Sequence, residues 1–378
     1  MKKLFWFGWM GLLLFEIANV YFIMPMPGSQ QMKSIDLAYF FYRWRWAFRI
    51  LFLVMIIVGL FRSQWKRKWL LIIPIAIVSA VVYMANFVMA ADQMFYQPGK
   101  LLMVNAASNK VDSGRLVIGI TLNGEAKAYP IRFLGYHHQV QDTLGGEPVM
   151  ITYCTVCRTG RVFQPIVNGK LEKFRLVGMD HFNAMFEDAT TKSWWRQVTG
   201  EAITGKLKGQ QLPEIYSTQT SLAEWLKLNP NSLIMQADSE FIKSYDTTGN
   251  YEAGKSKNKL TGTDSLSWKD KSWVVGIKVG VERKAYDWNR LKAERIINDK
   301  IENTPVLIVL SNDNKSFFAF ERPDENSVFH LNNDIIDYNN HHFRLDGKGM
   351  DTSFSLKPLY ASQEFWHSWR TFNPNTKK

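Results

Sequence analysis

The second half of this 378-residue chain repeats part of its first half. Residues from Val117 onward align without a gap to residues from Val274 onward, at a constant offset of 157 positions. Both copies contain the pattern Glu-x-Lys-Ala-Tyr and a glycine at the same place in the preceding segment. A repeat of this length indicates two related units built on one scaffold, so the same elements are expected twice.

Alternating apolar residues begin each copy, a pattern typical of a half-buried strand. The alternating positions are Leu116, Ile118, Ile120 and Leu122 in the first copy, and Trp273, Val275, Ile277 and Val279 in the second. Pro130 and Asp287 then occupy one aligned position, and both residue types favour the start of a helix. Each copy therefore predicts a strand, a short helix, a hairpin, further strands and a terminal helix around Trp225 or Trp369. The predicted fold class is α+β and strand-rich.

Three apolar stretches precede the repeat, at about residues 4–24, 39–61 and 69–89. Each is long enough to cross about 30 Å of hydrocarbon as a helix. Residues 1–89 are therefore predicted to be a three-helix transmembrane anchor. Within it, Glu16 and Arg49 lie at similar depths on neighbouring spans. Because isolated charges are costly in a membrane, we expect these two residues to form an interhelical ion pair.

Most of the net positive charge of the chain lies in this anchor. Its 89 residues hold ten basic and two acidic residues, a net charge of +8, whereas the other 289 hold 36 basic and 32 acidic residues, a net charge of +4. The basic loop 62–68 predicts a cytoplasmic N-terminus in the inner membrane and a periplasmic or extracellular soluble part. A nearly neutral soluble part does not favour nucleic-acid binding.

The repeat also sets the expected domain boundaries. The first lobe covers residues 115–245, and a second, degenerate lobe without a counterpart of residues 193–201 covers 272–378. A polar stretch rich in Gly, Ser, Thr and Lys, residues 246–271, is typical of a linker. Residues 90–114 form a juxtamembrane segment.

The chain has two cysteines, Cys154 and Cys157, and both lie in the first copy. The aligned positions of the second copy hold Ser311 and Asn314, and the position of His137 holds a glutamate. Residues shared by the copies mostly build the scaffold. A Cys-x-x-Cys/His set that only one copy retains is therefore the candidate functional site.

A Gly-Gly dipeptide predicts a hairpin with a two-residue turn that pairs Leu144 with Glu147. The same register places His137 opposite Cys154, with Cys157 at the next bend and His138 on the other face of the hairpin. Two thiolates and one imidazole would suit a transition metal, Cu or Zn, and this hypothesis leads because the second copy lacks all three groups.

Three other interpretations of the same residues stay open. A Cys-x-x-Cys pair in an oxidising compartment could act as a thiol–disulfide oxidoreductase. Either cysteine could be a nucleophile activated by the histidine. The pair could also be a static disulfide or two buried structural thiols. The sequence therefore specifies neither a reaction nor a small-molecule or protein partner.

Further candidates rank lower. His181 could complete a metal site, although a single histidine in a mixed stretch is more often simply hydrogen-bonded. Trp194 and Trp195 could contact a ligand or, in a non-enzymatic binding module, a partner, although a buried pair is the commoner case. The histidines of the second copy, including His367, are predicted to be surface or core residues.

Several of these segments together resemble the bacterial family called domain of unknown function 3179. The resemblance spans about residues 100–378, and its motifs are Asn123-Gly-Glu-Ala-Lys-Ala-Tyr-Pro130, His137, Thr152-Tyr-Cys-Thr-Val-Cys157 and Trp195-Arg-Gln-Val-Thr-Gly-Glu-Ala202. That family typically has Trp-His-Glu and Cys-Pro-Leu-Cys-Gly where this chain has Tyr136-His-His138 and Cys154-Thr-Val-Cys-Arg158. The resemblance implies a single site at these cysteines without naming its chemistry. The absent Pro and Gly put a rubredoxin-like knuckle turn in doubt.

Overall fold

A computed structural model describes residues 1–351 and 354–378, with three long helices followed by many short strands. The helices are α1 (Lys2–Tyr21), α2 (Ile35–Phe61), α3 (Ile72–Tyr83), α4 (Ala91–Met94), α5 (Ile131–His137), α6 (Leu222–Leu228), α7 (Trp288–Glu294) and α8 (Trp366–Phe372). Short 3-10 segments are Ser29–Gln31, Lys68–Leu71, Ala106–Ser108 and Ser239–Ser244, and Met84–Val88 is a π-turn.

The strands form several small sheets and a two-stranded ribbon. They are β1 (Met103–Val104), β2 (Leu116–Leu122), β3 (Glu125–Pro130), β4 (Gln139–Leu144), β5 (Glu147–Cys154), β6 (Thr159–Phe163), β7 (Ile166–Val167), β8 (Lys170–Leu171), β9 (Phe174–Asp180), β10 (Asn183–Asp188), β11 (Trp194–Arg196), β12 (Ala202–Thr204), β13 (Thr218–Ser221), β14 (Leu233–Met235), β15 (Trp273–Val279), β16 (Glu282–Asp287), β17 (Ile296–Ile301), β18 (Thr304–Leu310), β19 (Phe317–Glu321), β20 (His330–Asn332), β21 (Ile335–Tyr338), β22 (His341–Phe343), β23 (Lys357–Pro358) and β24 (Ala361–Phe365). The mixture of helices and strands confirms the predicted α+β class.

The chain divides into two compact units. The first contains Met1–Tyr96, Glu172–Arg196 and Glu201–Gln211, and the second contains Gln97–Leu171, Gln197–Gly200 and Leu212–Lys378.

In the first unit, three helical segments are long and apolar enough to cross a membrane: Lys2–Tyr21, Ile35–Phe61 and Lys68–Val88. They agree with the three predicted spans. The predicted ion pair is confirmed, because the Arg49 Nε lies 2.6 Å from the Glu16 Oε1. Asn86 completes a triad, accepting from Arg49 at 2.6 Å and donating to Glu16 at 2.9 Å.

A four-stranded sheet in the order β12-β11-β10-β9 packs on the helical part of this first unit. The Met179 amide donates to the Ile23 carbonyl at 2.7 Å, which ties β9 to the segment after α1. Trp194 of β11 packs edge-on against Tyr39 and at a tilt against Tyr42, with ring centroids 5.1 and 5.3 Å apart. The beginning of α2 is therefore covered by the sheet.

The second unit shows the duplication directly. The series β2-β3-α5-β4-β5-β6 of the first copy recurs as β15-β16-α7-β17-β18-β19 in the second. In each copy the strand before the terminal helix pairs antiparallel with the first strand, β13 with β2 and β24 with β15. The repeated sequence pattern thus produces the same pairing twice.

A repeated glycine explains how each terminal helix packs. A Cβ on Gly119 would lie 2.2 Å from the Trp225 ring, and one on Gly276 would lie 2.1 Å from the Trp369 ring. Both rings are buried, so only a residue without a side chain fits beneath them. This contact accounts for the glycine and tryptophan that both copies share.

The short helices begin at the predicted aligned position. Pro130 precedes α5, and the Asp287 side chain caps α7 by accepting from the Arg290 amide at 3.0 Å. Both helices end at a residue with positive φ, His138 at 61° and Arg295 at 66°. The predicted hairpin register is also confirmed, since β4 and β5 pair through Leu144 and Glu147.

Candidate functional site at the cysteine turn

Cys154 and Cys157 lie in one tight turn between β5 and β6. Cys154 ends β5 and pairs with Thr159, the first residue of β6, which leaves residues 155–158 as the turn. Both cysteine side chains are buried. We call residues 154–158 the cysteine turn; it brings two sulfur-bearing side chains to one end of one hairpin.

Arg158 directly follows the second cysteine, and its φ of 57° is a conformation that glycine adopts more readily. A left-handed conformation costs a non-glycine residue about 1–2 kcal/mol unless its surroundings fix it. The Arg158 guanidinium lies 3.6 Å from the Trp273 ring centroid and donates to the Gln363 Oε1 at 3.2 Å. These contacts explain how the turn forms without glycine.

A lysine lies beside the cysteine turn. The Lys271 Nζ donates to the carbonyl oxygens of Val156 at 3.0 Å and Leu260 at 2.6 Å. Burial lowers the pKa of Lys271, and the charges of Cys157 and then Cys154 raise it in part.

His367 contacts the same turn. Its Nε2 lies 3.2 Å from the Val156 carbonyl and 3.2 Å from the Lys271 Nζ. Burial and the lysine charge lower the pKa of His367 to about 4, so the imidazole is neutral at pH 7. The tautomer decides which of these two contacts is a hydrogen bond: a protonated Nε2 donates to the Val156 carbonyl, and an unprotonated Nε2 accepts from Lys271.

His137 ends α5 instead of continuing β4, whose ladder with β5 starts at Gln139. The buried imidazole Nε2 lies 2.8 Å from the Tyr245 hydroxyl. Its ring also packs edge-on against Phe241, with centroids 5.3 Å apart. The structure therefore uses His137 in an aromatic cluster with the segment that follows β14.

His138 caps the end of α5 in the left-handed conformation and is buried. Burial lowers the pKa of His138 to about 4, so the ring is neutral at pH 7 and Nδ1 donates to the Tyr136 carbonyl at 3.0 Å. The His138 carbonyl accepts from the Tyr153 amide at 2.9 Å. His138 thus continues the hairpin by one backbone bond beyond the ladder.

The remaining predicted residues belong to the first unit. The His181 Nδ1 lies 2.6 Å from the Asp180 carboxylate, which also accepts from Arg196 at 2.6 and 2.9 Å. Burial raises the pKa of Asp180, but these two partners outweigh it and hold that pKa below its usual range. Trp194 and Trp195 are buried, and their indole N–H groups donate to carboxylates of β10 at 3.0 Å.

Among residues 1–351 and 354–378, no three His, Cys, Asp or Glu side chains converge in a way that could hold a metal ion. Zinc in proteins almost always takes four protein ligands, or three with an open position. The described residues therefore do not fit a zinc site. The metal set of Cys154, Cys157 and His137 stays a prediction from the sequence.

Sequence reasoning missed Lys271 and His367, which contact the backbone between the two cysteines. Lys271 lies at the end of the stretch predicted as a linker, and His367 lies in α8 of the second copy. Both are more than 100 positions from the cysteines, so no local spacing could have connected them. Arg158 was noted only as a departure from the family pattern.

No curated protein and no solved structure matches this chain. One family model does match, over residues 97–376, which includes the cysteine turn and both copies of the repeat. The chain therefore belongs to the family described as protein of unknown function DUF3179.

Proposed function

We propose that this protein is an integral membrane protein whose extracytoplasmic first lobe carries a redox-active thiol pair, Cys154 and Cys157. In this proposal the N-terminus and the basic loop 62–68 lie in the cytoplasm, following the positive-inside rule. An oxidising compartment is where a pair of this kind could cycle between dithiol and disulfide.

The observation that carries the proposal is the Lys271 ammonium, held at the cysteine turn by the Val156 carbonyl. Cysteines that react as thiolates lie next to cationic groups in identifiable electropositive surroundings. His367 is neutral at pH 7, so the positive charge at the turn comes from Lys271 and from Arg158 within the turn itself.

The proposed reaction is thiol–disulfide exchange with a disulfide of a partner. One cysteine thiolate attacks a sulfur of that disulfide, which forms a mixed disulfide and releases one partner thiolate. The second cysteine thiolate then attacks the mixed disulfide, forms the Cys154–Cys157 bond and releases the other partner thiolate. The cysteines lose two electrons and two protons in total, and the partner is reduced to a dithiol.

Burial of both sulfurs means that exchange requires a local opening of the cysteine turn. Only the four residues 155–158 join the two adjacent strands, so their opening does not require the whole lobe to unfold. A partner that gains access only in this opened form would react slowly and selectively.

A metal role for the same two sulfurs is the competing proposal. Thiolates are soft ligands that favour Cu(I), and the positive charge of Lys271 would offset the negative charge of a two-thiolate complex. This narrows the metal hypothesis to copper, because the described residues do not fit a zinc site.

Equilibration of the full chain in detergent with glutathione mixtures, followed by trapping of free thiols, tests the redox proposal. We expect one reversible two-electron transition. In Lys271→Met the reduced cysteine pair loses the favourable lysine charge. The midpoint reduction potential of the pair should therefore fall, by about 30 mV for each tenfold decrease in the equilibrium constant for its reduction. Lys269→Met, an exposed lysine two positions away, is the matched control and should leave the midpoint unchanged.

Two outcomes would contradict the redox proposal. One is the absence of any Cys154–Cys157 disulfide under oxidising glutathione mixtures. The other is stoichiometric copper in the purified protein that disappears in Cys154→Ser, which would favour the competing metal proposal. The membrane orientation is tested separately by an alkaline phosphatase fusion after the second lobe, which should be active only on the outer side.

A further inference from the structure

The second unit contains a cavity of about 810 Å³. Both copies of the repeat contribute to its wall, together with part of the segment between them. The first copy supplies Arg132 and Arg158, and the second supplies Trp273, Trp288 and Gln363. A volume in this range is typical of sites for small molecules.

Arg158 is a buried cation at the cavity wall with unused hydrogen-bonding capacity. Its side chain is only 1 % exposed, and its Nε has no hydrogen-bond partner within the described residues. Burial raises the pKa of Glu252, a carboxylate at this wall, and Glu252 already pairs with Arg115 at 3.0 Å. A buried guanidinium in this position favours an acceptor that the protein itself does not provide.

Two further donors at the same wall lack acceptors. The Gln363 Oε1 accepts from Arg158 and from Gln219, whereas its buried Nε2 has no partner in the described part of the chain. The buried Nε of Arg132 also has no hydrogen-bond partner in the described part of the chain. Burial and the nearby Arg115 charge lower the pKa of Arg132. The cavity wall therefore offers several hydrogen-bond donors that need acceptors.

The carboxylates at the cavity wall are already engaged locally. Asp112 accepts from the Gly114 amide, Asp264 accepts from the Leu266 amide, and Asp313 accepts from Ser316. They cap turns and do not satisfy the arginine and glutamine donors.

The aromatic side of the cavity limits what can occupy it. The rings of Trp273 and Trp288 have centroids 6.0 Å apart and form an apolar surface next to the Arg158 guanidinium. A fully hydrated inorganic anion would not use this surface, whereas a molecule with both a carboxylate and a planar or apolar part would. We infer that this cavity is a binding site for a small organic carboxylate.

In this site the carboxylate accepts from the arginine and glutamine donors, and the apolar part packs on the tryptophans. The inference does not depend on the redox proposal. It assigns a ligand to Arg158, the residue that directly follows the second cysteine of the turn.

Calorimetric titration of the full chain in detergent with benzoate tests the inference, with benzamide as the neutral ligand of the same shape. We expect saturable benzoate binding below about 10 mM, and at least tenfold weaker binding of benzamide. Arg132→Gln and Arg158→Met should each weaken benzoate binding by tenfold or more. Arg290→Gln, an exposed arginine on α7 paired with Glu294, is the matched control and should bind as the native chain does.

Arg132→Gln is the decisive variant, because its side chain is only partly buried and its loss leaves the core intact. Benzoate affinity unchanged in Arg132→Gln would overturn the inference. Equal affinity for benzoate and benzamide, or no saturable benzoate binding up to about 10 mM, would overturn it as well.

Discussion

Replacement of Arg49 by methionine should strongly destabilise the three-helix segment. The Glu16 side chain is fully buried, and the Arg49 guanidinium holds it through two bonds of 2.6 and 2.9 Å. Removing one member of a buried ion pair leaves an uncompensated charge and costs about 3–5 kcal/mol. Asn86 can offset only part of this loss, because its bond to the Glu16 carboxylate supplies one donor at 2.9 Å but no positive charge.

The double variant Glu16→Gln/Arg49→Met should recover most of the loss, because glutamine carries no charge and can still hydrogen-bond to Asn86. The two single substitutions should therefore be strongly non-additive, with a coupling energy above about 1 kcal/mol. The measurement is unfolding of the full chain in mixed detergent micelles, followed by far-UV circular dichroism. Arg43→Met on the same helix is the matched control, because Arg43 is exposed, and it should change stability by less than about 0.5 kcal/mol.

Additivity of the two single substitutions within about 0.5 kcal/mol would refute this reasoning. It would mean that Glu16 and Arg49 are each stabilised independently, by lipid headgroups or water, and that their contact contributes little to the free energy of unfolding.

Three further predictions concern particular positions. Gly119→Ala and Gly276→Ala should each destabilise the second unit by about 1–3 kcal/mol, because the added methyl group overlaps a buried tryptophan ring; equal stability in calorimetric melts would contradict the packing. Between pH 6.5 and pH 5, the low pKa of His138 should cost about 2 kcal/mol of stability, since the unfolded chain binds a proton that the folded chain does not. His138→Asn, which tolerates the positive φ, should reduce this acid dependence in urea titrations at the two pH values, and an unchanged slope would argue against it. Asp180 has a lowered pKa, so its ion pairs stabilise the fold above its unfolded pKa and lose that effect as the pH falls through the folded pKa; Asp180→Asn should therefore lower the melting temperature at pH 7 and differ less from the native chain near pH 3.

The sequence was sufficient to predict the repeated scaffold. Alternating apolar residues located the first strand of each copy, and the aligned Pro130 and Asp287 located the helix starts. A Gly-Gly turn fixed the register between β4 and β5. These features are local, so each is specified by residues that lie within a few positions of one another.

The environment of the cysteines was not predictable in the same way. The ladder between β4 and β5 begins at Gln139, and the bond from the Tyr153 amide to the His138 carbonyl continues the predicted register by one residue. His138 adopts positive φ at the end of α5, and the placement of His137 opposite Cys154 stays a prediction. Asparagine and glycine are the usual signals for such a helix end, and a histidine gives no comparable indication. The side-chain direction of His137 therefore depended on tertiary contacts with Tyr245 and Phe241.

The second lobe lacks cysteines, but it contacts the cysteine turn of the first lobe directly. The amide of Phe365 in β24 donates to the Cys157 carbonyl at 2.9 Å, and His367 of α8 contacts the carbonyl of the preceding residue. Trp273 of β15 covers the Arg158 guanidinium. A copy that has lost its own thiols can still be retained by selection on the contacts it makes with the other copy's turn. On the redox proposal, a substitution in β24 or α8 that removes these contacts should shift the midpoint of the Cys154–Cys157 pair, and an unchanged midpoint would indicate that the second lobe only completes the fold.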